Sequence, residues 1–359
     1  MTVLLLACCA STFCQDSLWV VDTRHNSGYI DINGKYIIPL KYKSASKFHE
    51  GLACVEDSLG NAFINTKGDI VFRSDNFTVF HEGLGYIKKN CAINFIDKKG
   101  NIAIKPIYEP YTVGCCGSCG AYFSEGLAPV VLSISENHNW YRYIFINKQG
   151  KRVFDQTFLQ AANFSQGLAY VRYEDSTCGY INKSGKKVIK LNPRQYGEMF
   201  SEGYALIYNE DYSCYFIDQT GKKLGTYTFR NAESFSDGLA KVNFTERWPY
   251  KWGFINLKGE MVIQPQYNEA TSFSDSLSSV TNYATPFVPN SPSLTYIIDT
   301  KGKIKLGPYE RTTINEFKNG LAPGTKILND TCHLYFYINK KGVFVWKGIS
   351  CRTYGPNDF

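Results

Sequence analysis

The chain has 359 residues, 44% of them hydrophobic and 15% aromatic against 20% charged, with 30 glycines and 13 prolines; this excludes a disordered or collagen-like polymer. Its 39 basic and 32 acidic residues leave a net charge of +7, a mild excess that permits an anionic partner without demanding one. Tyr and Phe are abundant, at 26 and 24 residues, which favours strands.

Residues 1–16 read as the back half of a secretory signal peptide. An apolar run from Val3 to Ala10 is followed by Ser11, Thr12, Phe13 and Cys14 and then by the polar Gln15, Asp16 and Ser17. The basic segment expected before it is missing and the run is short, both of which a start site placed too far downstream would explain. Two other readings stand beside it: a lipobox at Leu5-Leu6-Ala7-Cys8 with Cys8 lipidated, and a buried first strand over Met1 to Ala10. No later stretch approaches the ~20 apolar residues that span a bilayer. With Cys8, Cys9 and Cys14 in the leader, 9 of the 12 cysteines remain, an odd number from which no complete disulfide framework follows.

From residue 17 to residue 350 one unit recurs, leaving 351–359 as a tail. The pattern Ile-Asn/Asp-x-x-Gly returns nine times, ending at Gly34, Gly68, Gly100, Gly150, Gly185, Gly221, Gly259, Gly302 and Gly342. A fixed period of this kind marks an array of like supersecondary units. Each unit opens with Phe, a tight polar turn and Gly-Leu-Ala, as in Phe48-His49-Glu50-Gly51-Leu52-Ala53 and Phe164-Ser165-Gln166-Gly167-Leu168-Ala169. Ser276 replaces the glycine in one copy, which predicts a distorted turn there. An aromatic-Ile pair follows, such as Phe63-Ile64 or Tyr180-Ile181; adjacent strand residues point to opposite faces, so both faces of the sheet are covered. The Asn or Asp then opens a type I turn that a left-handed Gly closes with a bulge, which makes these polar residues turn-makers and not catalysts. A third strand returns and ends at a proline in the fullest copies, as at Pro39, Pro106 and Pro265.

The segment Lys251-Trp252-Gly253-Phe254-Ile255-Asn256-Leu257-Lys258-Gly259, continuing to Tyr267, resembles the WG repeat family of bacterial tandem-repeat proteins. The likeness runs from about Leu18 to Trp346. Only this copy keeps the Trp-Gly pair; the Trp position elsewhere holds Ser27, Asn61, Ile93, Tyr143, Cys178, Cys214, Thr295 and Tyr335. The resemblance implies repeat architecture and binding roles, with no enzymatic activity and no cofactor to carry over. The fold expected is all-β, a tandem array of nine three-stranded antiparallel units. An open β-solenoid or superhelical sheet is favoured over a β-propeller, because nine unsplit units exceed the four to eight blades propellers usually hold.

Three sets of residues stand out as candidates. Cys115, Cys116 and Cys119 lie in an enlarged loop with the C-x-x-C spacing of metal or redox sites, but no second pair follows, which favours a disulfide-bearing or merely adaptable loop. Lysines crowd the hairpin tips, Lys98, Lys99, Lys148, Lys183 and Lys186 among them, and stacked units would align them into a basic ridge. The acidic residues of the Phe turns, such as Glu50, Glu82, Glu125 and Glu202, are expected on another edge. Trp140, Trp248 and Tyr250 are aromatic residues on loops, suited to anchoring a partner or a sugar. His49 and His81 occupy a turn position held by Ser elsewhere and read as structural. Cys178 and Cys214 sit at equivalent positions of adjacent copies, where they either bond or merely stack.

The function expected is that of a non-enzymatic, exported bacterial scaffold, periplasmic or at the cell surface. Its partner is a protein or glycan of the envelope, not nucleic acid, and it touches membrane only through a lipid anchor. The alternative is a carbohydrate-active or other enzyme that uses the loop insertions 110–122 or 283–294.

Overall fold

The computed structural model describes residues 18–351 apart from 24–25, 77, 90–91, 106–121, 136–137, 246–249 and 285–291. All regular structure in them is β-strand, arranged as nine small antiparallel sheets in chain order. We call these blades 1 to 9: residues 19–42, 44–73, 80–104, 127–147, 160–191, 196–218, 231–267, 269–310 and 312–351. Blade 2 shows the plan, with Ser44–Ala45, Leu52–Asp57, Gly60–Asn65 and Ile70–Arg73 lying side by side in that order. Six of the nine sheets therefore hold four strands where three were expected. The additional strand is short. Ser44 and Ala45 pair with Glu56 and Val55, and two residues are too few to show an alternating pattern in sequence.

The aromatic-Ile pairs do what their alternation requires. Phe63 packs between blades 2 and 3 beside Phe80, while its neighbour Ile64 packs between blades 1 and 2 beside Tyr29. Phe254 and Ile255 divide in the same way, toward blades 8 and 6. The core is thus distributed over the blade interfaces, and each sheet is buried on both faces.

The array closes on itself. Val21 and Ile30 of blade 1 are buried against Leu321, Tyr337 and Trp346 of blade 9. The Tyr337 hydroxyl donates to the Val20 carbonyl at 2.8 Å, and the Trp346 indole N–H donates to the Tyr36 hydroxyl at 2.8 Å. The open solenoid is therefore corrected to a ring of blades, a β-propeller. The physical reason lies in the end units. A solenoid needs a polar outer face on its last repeats, whereas blades 1 and 9 carry apolar side chains on the faces an open array would expose, and burying them together removes that area from water.

The Trp-Gly pair is explained by packing. A side chain at Gly253 would place its Cβ 2.5 Å from the Ile263 carbonyl oxygen, where the return strand bulges toward Pro265. Trp252 lies beneath the Lys241 ammonium, 4.5 Å from ring centroid to nitrogen, and that lysine is buried with Glu233 and the Ala270 carbonyl as partners.

Candidate binding surfaces

Because the strands alternate in direction, the turns between first and second strands and those between third and fourth strands share one end of the ring. The first kind is a two-residue hairpin. His49 and Leu52 exchange both backbone bonds, and Glu50 and Gly51 between them have φ of 49° and 85°. Two positive φ values in succession define a type I′ turn, whose twist matches the flanking strands. Glu82, Glu125, Gln166, Glu202, Asp237, Asp275 and Asn319 repeat the left-handed first position. Ser276 keeps the same turn at φ 65°, closed by Ser274 and Leu277 at 3.0 and 3.1 Å, so the expected distortion is absent. Its N–H donates to Asp237 at 2.6 Å, which holds in place a conformation that serine adopts reluctantly.

That bond belongs to a series running from blade to blade. The Glu50 carboxylate accepts from the N–H of Gly83, Glu82 from Gly126, Glu125 from Gly167, and the pattern continues through Glu202 to Gly238 and Asp275 to Gly320. The second kind of turn joins in. Lys98 lies 3.2 Å from Glu50, Lys148 3.0 Å from Glu82, and Lys183 3.0 Å from Glu125, each reaching from the next blade. Where blade 5 has Gln166, the facing tip carries Gln219, which donates to the Gln166 carbonyl. The acidic turns and basic tips therefore occupy the same end, not separate edges, because the carboxylates serve as links between blades. Burial alone would raise the Glu50 carboxyl; the Gly83 N–H, Lys98 and the Glu82 N–H outweigh it and hold the group below its ordinary value.

At the seam an open cavity of about 630 Å³ meets blades 1, 2, 3, 8 and 9. His49, His81 and Lys318 line it, at the turn position that holds Ser124, Ser165, Ser201, Ser236 and Ser274 in other blades. Three of those serines are structural: Ser124, Ser165 and Ser201 donate to the carbonyls of Phe164, Phe200 and Phe235. The histidines instead meet aromatic rings, His49 tilted against His81 and His81 stacked on Tyr122. The His49 and His81 rings are 5.0 Å apart, and His81 lies 4.3 Å from Tyr122. Burial, and then the neighbouring His49, lowers the His81 pKa and favours its neutral form. The structural reading of these histidines leaves out their place at a cavity mouth; their departure from serine was the available signal.

The opposite end carries the loops between second and third strands. Tyr227, Phe229 and Phe244 cluster there, with Phe244 5.6 Å from Tyr227 and 5.2 Å from Phe229, and Tyr227 and Phe244 remain 40% and 38% exposed. In sequence Phe244 stands just before Trp248 and Tyr250. Cys332 and Cys351 face each other across blade 9 and form a disulfide, a pairing that spacing of 19 residues alone did not reveal. Cys178 and Cys214 are free and buried in separate interfaces, so they neither bond nor stack. Burial pushes the Cys54 and Cys214 thiols up to about 11 and about 12, which leaves them unreactive.

Of the residues singled out in sequence, Lys98, Lys148 and Lys183 lie in inter-blade ion pairs, and Lys99 and Lys186 are exposed on their tips. The ridge is thus an inner set of paired lysines and an outer set. Tyr250 is half-buried just before Trp252–Asn256. Trp140 belongs to His138–Asn147, with its side chain outside the described residues, as are Trp248, Cys115, Cys116 and Cys119. Among the described residues no group of three or more His, Cys, Asp or Glu could hold a metal ion.

No curated protein matches the chain. Among solved structures, BamB from Moraxella catarrhalis shares 10% identity over 77% of this chain and 88% of its own, at a TM-score of 0.41. A eukaryotic initiation factor shares 12% over 93% and 85%, at 0.45, and Hsv2 from Kluyveromyces lactis 9% over 81% and 95%, at 0.39. The model of the WG containing repeat matches residues 28–57, 95–109 and 252–282, which overlap blades 1–2, 3 and 7–8. These three matching segments support assignment of the chain to the WG-repeat family.

Proposed function

We propose that the chain is a non-enzymatic binding scaffold, exported to the cell envelope, that holds a protein or glycan partner at the loop end of its ring. WG repeats and a propeller fold support a repeat-based binding scaffold as the general role. The observation that carries the finer reading is where the copies differ. They agree in the turns that bond blade to blade, and they diverge at the opposite end, where Tyr227 and Phe244 present exposed rings against each other. Rigid aromatic side chains held by a scaffold anchor protein and sugar partners at low entropic cost. Export is supported by the Cys332–Cys351 disulfide, which suits an oxidising compartment.

The test is a pull-down from envelope extracts with the oxidised protein, alongside a Tyr227→Ala, Phe244→Ala variant. One stoichiometric partner recovered by the parent and lost by the variant is the expected result. Equal recovery by both proteins would move the contact away from this end, and a partner found only in cytosolic extract would remove the export reading.

A further inference from the structure

We propose that the tip end of the ring is a docking face for the surface of an anionic lipid bilayer. The inner lysines of that end are consumed by the acidic turns, as Lys98, Lys148, Lys183 and Lys340 show. A second set lies outside them. Lys67, Lys99, Lys258, Lys301 and Lys341 stand two residues after the turn-opening Asn or Asp, and other tips place a lysine directly after the glycine, as at Lys151 and Lys186. These lysines are exposed, and among the described residues none of them pairs with a carboxylate.

The second observation is independent of charge. Just beyond the tip glycines, on or directly before the strands at the sheet edges, stand large apolar residues that the fold leaves in water. Ile70 is 49% exposed, Ile102 50%, Val188 44%, Ile304 53% and Val343 54%. On the buried side of these same strands Ile104 and Ile189 enter the core and Phe72 and Leu306 pack against it, so the exposed residues do no packing work within their own blades. Exposed aliphatic residues beside unpaired lysines, repeated tip after tip around one end of a ring, match the two demands of a bilayer interface: lysine for the headgroups, aliphatic side chains for the acyl boundary. A soluble acidic polymer would use the lysines and leave the aliphatic residues unexplained. No helix among the described residues is long and apolar enough to cross a membrane, and this mode of attachment needs none. It would leave the aromatic loop end facing away from the lipid.

The experiment is flotation of the whole protein with vesicles of phosphatidylcholine alone or mixed equally with phosphatidylglycerol. Expected is binding to the mixed vesicles only, weakened by salt. Replacing Lys99, Lys151, Lys186 and Lys258 by Gln should lower partitioning by roughly several hundredfold, at roughly fivefold per lysine. Ile102→Ser with Val188→Ser and Ile304→Ser should lower it further at low salt. Arg194→Gln at the opposite end should leave it unchanged. Circular dichroism and an unaltered partner pull-down show that each variant is folded, and they separate failure of this face from failure of the loop-end reading. Binding that survives loss of the four lysines, or retention on polygalacturonate without flotation, would overturn the proposal.

Discussion

At one end of the ring the turns repeat almost without variation, while at the other the stretch between second and third strands runs from Ser58-Leu59 in blade 2 to the longer stretches 244–251 in blade 7 and 284–292 in blade 8. The tip end is where neighbouring blades bond to one another through Glu50, Glu82, Glu125 and their successors, so a changed turn disturbs two blades at once. Contacts at the far end are particular to one pair of blades, such as Arg142 with Glu174 and Phe244 with Tyr227. The repetition that makes the family visible therefore records a bond repeated from blade to blade, and freedom from that repeated bond is what allows specialisation.

The contrast can be broken by substitution. The largest effects belong to the blade interfaces: Phe254→Ala should cost about 3–5 kcal/mol in urea unfolding, whereas Val343→Ala on a tip should stay within about 0.5 kcal/mol. Equal costs would mean that the interfaces are not the core. Next come the glycines. Gly253→Ala meets the Ile263 carbonyl and should cost about 1–3 kcal/mol, while Gly51→Ala, at φ 85° with nothing within 4 Å, should cost about 1–2 kcal/mol from backbone strain alone. A smaller coupling, about 0.2–1 kcal/mol, should emerge from a double-mutant cycle of Glu125→Gln and Lys183→Gln. Parallel effects at Asp57 and Arg73, a pair within blade 2 at the loop end, would show that bridging blades adds nothing.

Acid sharpens the same comparison, with the smallest effect from any single group. The lowered Glu50 pKa adds stability that is present above the ordinary carboxylate value and lost as pH falls through the lowered one. The lowered His81 pKa acts in the same direction: its contribution is complete above the ordinary value of 6.5 and lost as pH falls through the folded one. Unfolding midpoints at about pH 7 and about pH 5 should therefore fall for the parent chain, and fall less for His81→Ser, which restores the residue of other blades.

Much of this was legible in the sequence because it is local. Asp31, Asn65 and Asn256 accept from backbone N–H groups two and four residues on, and the glycines after them take positive φ, as hairpin chemistry requires. The faces of Phe63 and Ile64 follow from alternation alone. What stayed hidden depends on distance along the chain. The Glu50 to Gly83 bond spans 33 residues, and Tyr337 reaches Val20 across 317, so neither the shared end of acids and lysines nor the closure shows in any single unit. The apolar ends of the array were the overlooked sign of closure. The seam cavity was hidden for the same reason, since Lys318 and His49 meet only once the ring has closed.

Closure carries the rest of the account, and small-angle scattering of the purified chain tests it most directly. A closed ring of 359 residues should give a radius of gyration of about 21 Å with a compact distance distribution. A markedly larger radius, with the long tail of an elongated particle, would contradict the ring, the seam between blades 1 and 9, and the common tip face built on them.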